Sequence, residues 1–326
     1  MPNPIDDHYD TVTKAMMDGR VVPFLGAGAN RCDRQKGDGW ERGKQLPDGS
    51  ELSKYLAEQF GYHQRDRNNL ARVAQYVDVM RGSGDLYERL HKLLDVDYPL
   101  TSLARFLAAL EAVLHTKAPP CHQLIVTTNY DDQIERAFQQ AGESFDLVTY
   151  VAEGDQRGRF AHRAPDGSEY LIEKANEYRG NLKERATILK IHGTVDRGRK
   201  RDTPVEEDAD EEDNKDSYVI TEDHYIEYLT RTDISSLLPG ALAARMRKNH
   251  FLFLGYSMRD WNLRVILHRI WGERKRSYQS WAIQRYPDPI EQKFWSKHGV
   301  DILNVGLADY VAELSRRLGL PITAAH

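Results

Sequence analysis

The sequence predicts an α/β fold, a mainly parallel sheet with helices on both faces and an inserted helical module. Three observations carry that prediction. Apolar, strand-like runs recur as VVPFL, QLIVTTN, ATILK and HFLFL along the chain. Segments with apolar residues at helical spacing lie between them, the alternation expected of parallel strands joined by crossover helices. Each long apolar run also ends in a short polar turn, and in open α/β sheets ligands bind beyond the carboxyl ends of the strands.

Taken in order, Asp10 to Arg20 reads as a short helix leading into the strand that begins at Val21. Arg34 to Asp48 is polar and glycine-rich and reads as a loop. The helical module is assigned to about residues 51–120, with helical spacing near Leu52–Phe60, Leu70–Arg81, Asp85–Leu94 and Ser102–Leu114; Pro119 and Pro120 end it. The strand QLIVTTN and an amphipathic helix follow, then a strand over Phe145–Val151. Glu153 to Ser168 reads as irregular, Tyr170–Ile172 as a short strand, and ATILK as a strand ending in a His-Gly turn. Residues 197–216 form a charged insert without periodicity, expected to be a disordered surface loop. SYVITEDHYIEYL reads as strand, turn and helix with Thr221 as N-cap, and Ala241 to Lys248 continues as helix. HFLFLGYSMRDWNLRVILHRIW is again strand, turn and helix; SWAIQR and VDILNV are the last strands, and a helix over Tyr310–Leu318 closes the pattern.

The net charge of the 326-residue chain is −5, but Glu206 to Asp213 alone carries seven negative charges, and without that run the sum would be +2. A near-neutral body gives no electrostatic case for direct nucleic-acid binding. No apolar run approaches the roughly 20 residues of a membrane span, so no membrane association is expected. MPNPIDDHYD lacks a basic region followed by an apolar stretch, and the expected location is cytoplasmic. Two cysteines, Cys32 and Cys121, imply no disulfide framework and exclude a four-thiolate zinc site from this chain alone.

The four turns are Gly26-Ala27-Gly28-Ala29-Asn30, Thr128-Asn129-Tyr130-Asp131, His192-Gly193-Thr194 and Gly255-Tyr256-Ser257-Met258-Arg259-Asp260. All should face one crevice. The first suits phosphate binding, because glycine lets the backbone approach a ligand and a following helix N-terminus favours an anion. Arg31 holds the third glycine position of the dinucleotide fingerprint, which weakens an ordinary dehydrogenase reading. Asn129 both donates and accepts, so it suits a ribose hydroxyl or a water. Asp131 suits the same site or a helix cap. His192 has a side chain whose ordinary pKa near 6.5 suits proton transfer. Ser257 and Asp260 suit phosphate or ribose contacts, or helix capping.

FLGAGAN, VTTNYD, ILKIHG, YVITEDHYIEYL and FLFLGYSMRD, in that order over about Val21 to Val305, resemble the sirtuin superfamily, more closely its prokaryotic defence-associated branch than the protein deacylases. The resemblance implies one Rossmann-like catalytic domain over residues 1–326. It implies that Gly26, Ala27 and Gly28 cradle NAD, with Asn30 where deacylases usually have serine. Asn129 would position ribose and water, with Thr128 and Asp131 beside it. His192 would be the general base, and Gly255, Tyr256, Ser257 and Asp260 would form the adenosine-side turn. Deacylases of this fold carry four zinc-binding cysteines between the histidine motif and the later nucleotide turn; that interval holds none here, so no zinc is expected. The Gly-Ile-Pro-Asp-Phe-Arg segment is also missing after GAGAN.

These departures favour NAD as a substrate cleaved by water, giving nicotinamide and ADP-ribose, over peptide deacylation. The expectation is an NAD hydrolase acting as the toxic subunit of an antiphage system, controlled through homo-oligomeric assembly or a partner such as a HerA-type ATPase or a short Argonaute. The alternatives are a regulatory subunit that binds NAD or ADP-ribose without turnover, and a deacylase or ADP-ribosyltransferase.

Overall fold

A computed structural model describes residues 4–35, 37–197, 216–230, 238–271 and 278–320. Nearly all of the charged insert expected at 197–216 lies outside the described residues.

Nine strands form one sheet in the order β11-β10-β9-β1-β2-β6-β3-β4-β5. Here β1 is Val21–Leu25, β2 Leu124–Thr127, β3 Phe145–Tyr150, β4 Phe160–Arg163, β5 Glu169–Ile172, β6 Ala186–Lys190, β9 His250–Leu254, β10 Ser280–Ile283 and β11 Val300–Leu303. A separate two-stranded ladder pairs β7 (Gly193–Thr194) with β8 (Ser217–Tyr218). The six pairings from β11 to β3 are parallel, while β4 and β5 add antiparallel to that edge. The fold is therefore α/β and Rossmann-like, as the strand–helix alternation predicts. Glu153 to Ser168 is a correction: β4 lies inside it, paired with β3 on one side and β5 on the other.

The strands are near-continuous apolar runs because both faces are covered. Val21 and Leu25 of β1 and Leu252 and Leu254 of β9 enter one core, with side chains of α1 (Pro4–Met17), α5 (Ser102–His115), α6 (Gln133–Ala141) and α11 (Leu307–Leu318). Val22, Phe24, Phe251 and Phe253 enter the opposite core, with α7 (Glu222–Thr230), α8 (Gly240–Arg247), α9 (Trp261–Trp271) and α10 (Pro289–Lys297). Each fully buried side chain of this size contributes roughly 1.5–3 kcal/mol. The first helix begins earlier than expected, at Pro4, and α10 is an element that the sequence reading did not assign.

The inserted helices α2 (Gly49–Phe60), α3 (Leu70–Arg81) and α4 (Ser83–Leu94) build a third core of their own, closed by Tyr130, Tyr218 and Ile220. A reciprocal capping box starts α2: Asp48 Oδ1 accepts from Glu51 N–H at 2.8 Å, and Glu51 Oε2 accepts from Asp48 N–H at 2.8 Å. Although α5 follows in sequence, it packs on the sheet beside α6. Arg197 ties the module to the body, pairing with Asp95 at 3.2 Å and with Asp132 at 3.3 Å.

Strand order reverses at β1, which has β9 on one side and β2 on the other. Leu25 is level with Thr127 and Leu254, and Thr127 is level with Lys190. The four strands thus end at one line across the sheet, and the four turns leave from that line.

Candidate active site

The turns surround a cleft of about 920 Å³. All twelve residues singled out from the sequence line it: Gly26, Ala27, Gly28 and Asn30; Thr128, Asn129 and Asp131; His192; and Gly255, Tyr256, Ser257 and Asp260. Chain positions more than 200 residues apart are brought together because the strand ends are level.

The first and fourth turns hold each other by backbone. Gly26 N–H donates to Leu254 O at 3.1 Å and Gly28 N–H to Gly255 O at 2.8 Å. Gly255 has φ +67, and a Cβ there would stand 2.0 Å from Ala29 N; a Cβ on Gly28 would stand 2.6 Å from Gly255 O. The glycines are required by the packing of turn on turn, a different reason from the ligand approach expected from the sequence. The helix after the first turn is a 3-10 segment of five residues, Ala27–Arg31, so a long helix dipole is not available to an anion there. The Tyr256 hydroxyl donates to Asp260 Oδ2 at 3.2 Å, and Asp260 Oδ1 caps α9 by accepting from Asn262 N–H at 2.9 Å. Burial raises the Asp260 carboxyl above its ordinary range.

The second and third turns are held by side chains as well as by backbone. Thr127 Oγ1 accepts from Asn129 N–H at 3.0 Å. Asp131 Oδ1 accepts from Gln133 N–H at 3.2 Å and Asp131 Oδ2 from Asn30 Nδ2 at 3.2 Å, so this residue both caps α6 and joins two turns. Burial raises its carboxyl, opposed by the nearby Lys190 ammonium and by these donors. Tyr130 O takes three donors: Val195 N–H at 3.0 Å, Thr194 Oγ1 at 3.3 Å and Lys190 Nζ at 3.3 Å.

His192 is 3% exposed. Gly193, at φ +90, opens the β7–β8 ladder behind it; a Cβ there would stand 2.0 Å from Ser217 O. Tyr225 and Tyr228 of α7 pack edge-on against the imidazole, with centroids at 5.4 and 5.6 Å. Burial lowers the His192 pKa to about 3. The imidazole is therefore neutral and free to accept a proton across the physiological range, with less basicity than the ordinary value of about 6.5 suggests. Four polar atoms of lining residues are buried without a hydrogen-bond partner: Asn129 Oδ1 and His192 Nε2 on the second and third turns, Arg34 Nε, and Gln284 Oε1 at the end of β10. Such atoms cost stability and are rare unless a ligand or water completes them.

Several lining residues escaped the sequence reading. Tyr225 comes from the quoted TEDHYIEYL stretch, and Ser50 and Asn69 from the helical module. Gln284, Arg285 and Tyr286 come from the end of β10. Tyr286 has φ +57, uncommon for a bulky side chain, and its N–H donates to Asn304 Oδ1 at 2.9 Å. A lysine within an apolar strand was the available signal for Lys190; for the β10 end there was none beyond its place in the strand order.

Among the described residues no group of three or more His, Cys, Asp or Glu comes together as a metal site. No helix among them is long and apolar enough to cross a membrane.

The family model described as the SIR2-like domain matches residues 123–303, more than half of the chain. That range contains the second, third and fourth turns. The chain is also similar to a protein named "Defense-associated sirtuin 2" from Bacillus subtilis, with 21% identity over 311 residues. The alignment covers 93% of this chain and 25% of that relative, so the chain spans about a quarter of the relative's length.

Proposed function

The chain belongs to the SIR2-like family, a membership that implies use of NAD, and from that premise we propose that the cleft hydrolyses NAD to nicotinamide and ADP-ribose. The observation that carries this reading is that Asn129 Oδ1 and His192 Nε2, on neighbouring turns, are buried without partners in the lining of one cleft that the Gly26–Gly28 and Gly255–Ser257 turns also line. The Gly26–Gly28 and Gly255–Ser257 turns are assigned to hold the dinucleotide. Asn129 and His192 offer uncommitted polar atoms for a ribose hydroxyl and a water.

The scissile bond joins nicotinamide to ribose C1′. Its cleavage leaves neutral nicotinamide and develops positive charge on the ribose; water adds at C1′ and one proton is released. Such a reaction needs orientation and exclusion of bulk water more than a strong nucleophile. Asn129 is assigned to orient the attacking water and the ribose hydroxyls. His192, neutral at pH 7, is assigned to accept the proton, a role typically worth ~10²–10⁴-fold. Gly26, Ala27, Gly28 and Asn30 are assigned to the pyrophosphate side, Thr128 and Asp131 to the nicotinamide side, and Gly255, Tyr256, Ser257 and Asp260 to the adenosine side.

Likeness to a defence-associated protein supports a cellular role as the toxic subunit of a bacterial antiphage system. Uncontrolled NAD cleavage would harm the host, so activity is proposed to depend on assembly, with copies of itself or with a partner such as a HerA-type ATPase or a short Argonaute.

The test is release of nicotinamide and ADP-ribose by the purified chain beside Asn129→Ala and His192→Ala. Release by wild type and a loss of at least ~10²-fold in both folded variants is expected. Equal turnover in all three overturns the assignment. Affinity for ADP-ribose without turnover, in the presence of every candidate partner, would make the chain a binding subunit.

A further inference from the structure

We infer that Lys190 is a positioning residue for this cleft: its buried ammonium, paired with Glu135, fixes the turn that carries Asn129 relative to the turn that carries His192. The inference rests on the NAD-cleaving reading of the same site and adds to it the device that sets the spacing of the two reacting groups.

Lys190 is fully buried, the last residue of β6, level with Thr127 of β2 and Thr149 of β3. A lysine in such a place is costly unless every proton of its ammonium finds an acceptor. Here three acceptors are present: Glu135 Oε1 at 2.7 Å, Asp131 O at 2.5 Å and Tyr130 O at 3.3 Å. A lysine retained only for charge balance would need the carboxylate alone. Two of its three bonds go instead to the carbonyls of the two residues that directly follow Asn129.

The same lysine ends the strand that leads into the His192 turn, two residues before His192. One side chain therefore leaves that strand end and grips the backbone just past Asn129. Ile191 N–H adds a bond to Thr127 O at 3.0 Å at the strand end, and Val195 N–H and Thr194 Oγ1 reach Tyr130 O from beyond His192; of these links only the lysine also holds Asp131 O. The lysine–glutamate pair is neutral overall. It holds position without adding net charge behind the turns.

Lys190→Met alone would leave the Glu135 carboxylate without its ammonium and risks unfolding. The decisive variant is Lys190→Met with Glu135→Met, which removes both charges and retains packing volume. Three quantities are measured on the full chain: kcat and KM for NAD, the melting temperature, and hydrogen exchange of the peptide spanning 124–138. The expected result is a kcat lower by about 10²-fold, as for a misplacement of order 1 Å. KM and melting temperature should stay near wild type, with faster exchange confined to that peptide. An unchanged kcat overturns the inference. So does a joint fall of kcat and melting temperature with faster exchange across the whole sheet, which marks a general core role. If wild type releases no nicotinamide, the NAD-cleaving reading fails, and the exchange measurement alone decides: unchanged exchange at 124–138 overturns the clamp.

Discussion

The two sides of the cleft are built by different means. The wall of the first and fourth turns is backbone on backbone, with glycines where any Cβ would collide with main-chain atoms. The wall of the second and third turns adds side chains, from Thr127, Thr194 and Lys190, to backbone bonds such as Val195 N–H to Tyr130 O, and it leaves Asn129 Oδ1 and His192 Nε2 without partners. A backbone interlock can scarcely be varied without loss of shape. A side-chain scaffold fixes position while leaving polar atoms free, at some cost in stability. Under the proposed function one side holds and the other reacts, and the difference in construction predicts that substitutions on the two sides will fail in different ways.

Gly255→Ala should give the largest effect. The added methyl meets backbone at 2.0 Å, and the φ of +67 is strained for any L side chain. A loss of about 3 kcal/mol or more is expected from overpacking and left-handed strain together, visible as a fall in melting temperature before any assay of binding. On the other side, Asn129→Ala removes a buried oxygen that has no partner, so its melting temperature should stay level or rise. A large fall in Asn129→Ala with little change in Gly255→Ala would reverse the proposed division of labour.

The His192 side of the cleft should also register pH. His192, held at about 3 in the folded chain, returns to its ordinary value on unfolding. Below about pH 6.5 the unfolded chain takes up a proton that the folded chain refuses, so stability falls as pH falls between about 6.5 and 3. The slope from this site approaches ~1.4 kcal/mol per pH unit in that window. His8, lowered to about 4 by burial, adds in the same direction. Denaturant titrations of wild type and His192→Gln across this range should differ in slope; parallel curves would show that His192 is not held neutral by the fold.

Much of this arrangement is legible in the sequence because its signals are local. Strand-then-turn patterns need only neighbouring residues, and the level line of strand ends then brings the four turns to one cleft. The periodicity at Leu70–Arg81 likewise suffices for α3. What escaped depends on partners far away in the chain. In β4, the short run FAHR has no strong strand character, and it is a strand because β3 and β5 pair with it on both sides. The role of Lys190 depends on acceptors 55 to 60 residues distant. The missed α10 is a different case: Asp288 as N-cap and Pro289 at the first turn were visible as a helix start.

The smallest and most discriminating change is Asn30→Ala, because Asn30 joins the walls. Its Nδ2 donates to Asp131 Oδ2 at 3.2 Å and to Pro47 O at 3.2 Å, linking the first turn to the second and both to the loop that precedes α2. If the walls are independent units, losing this link should cost about 1 kcal/mol, the typical net worth of such bonds, and leave each wall's own function intact. ADP-ribose affinity would then be unchanged and kcat within about twofold of wild type, as expected of sites that add. If the link instead sets the cleft width, affinity and kcat should fall together while the melting temperature moves by only a few degrees. Removing a donor from Asp131 also strips one of the groups that oppose the burial-driven rise of its carboxyl, so any titration of Asp131 in activity should move to higher pH in the variant. A pH profile that stays in place while kcat falls would assign Asn30 to spacing alone, and would leave Asp131 as a cap rather than a participant.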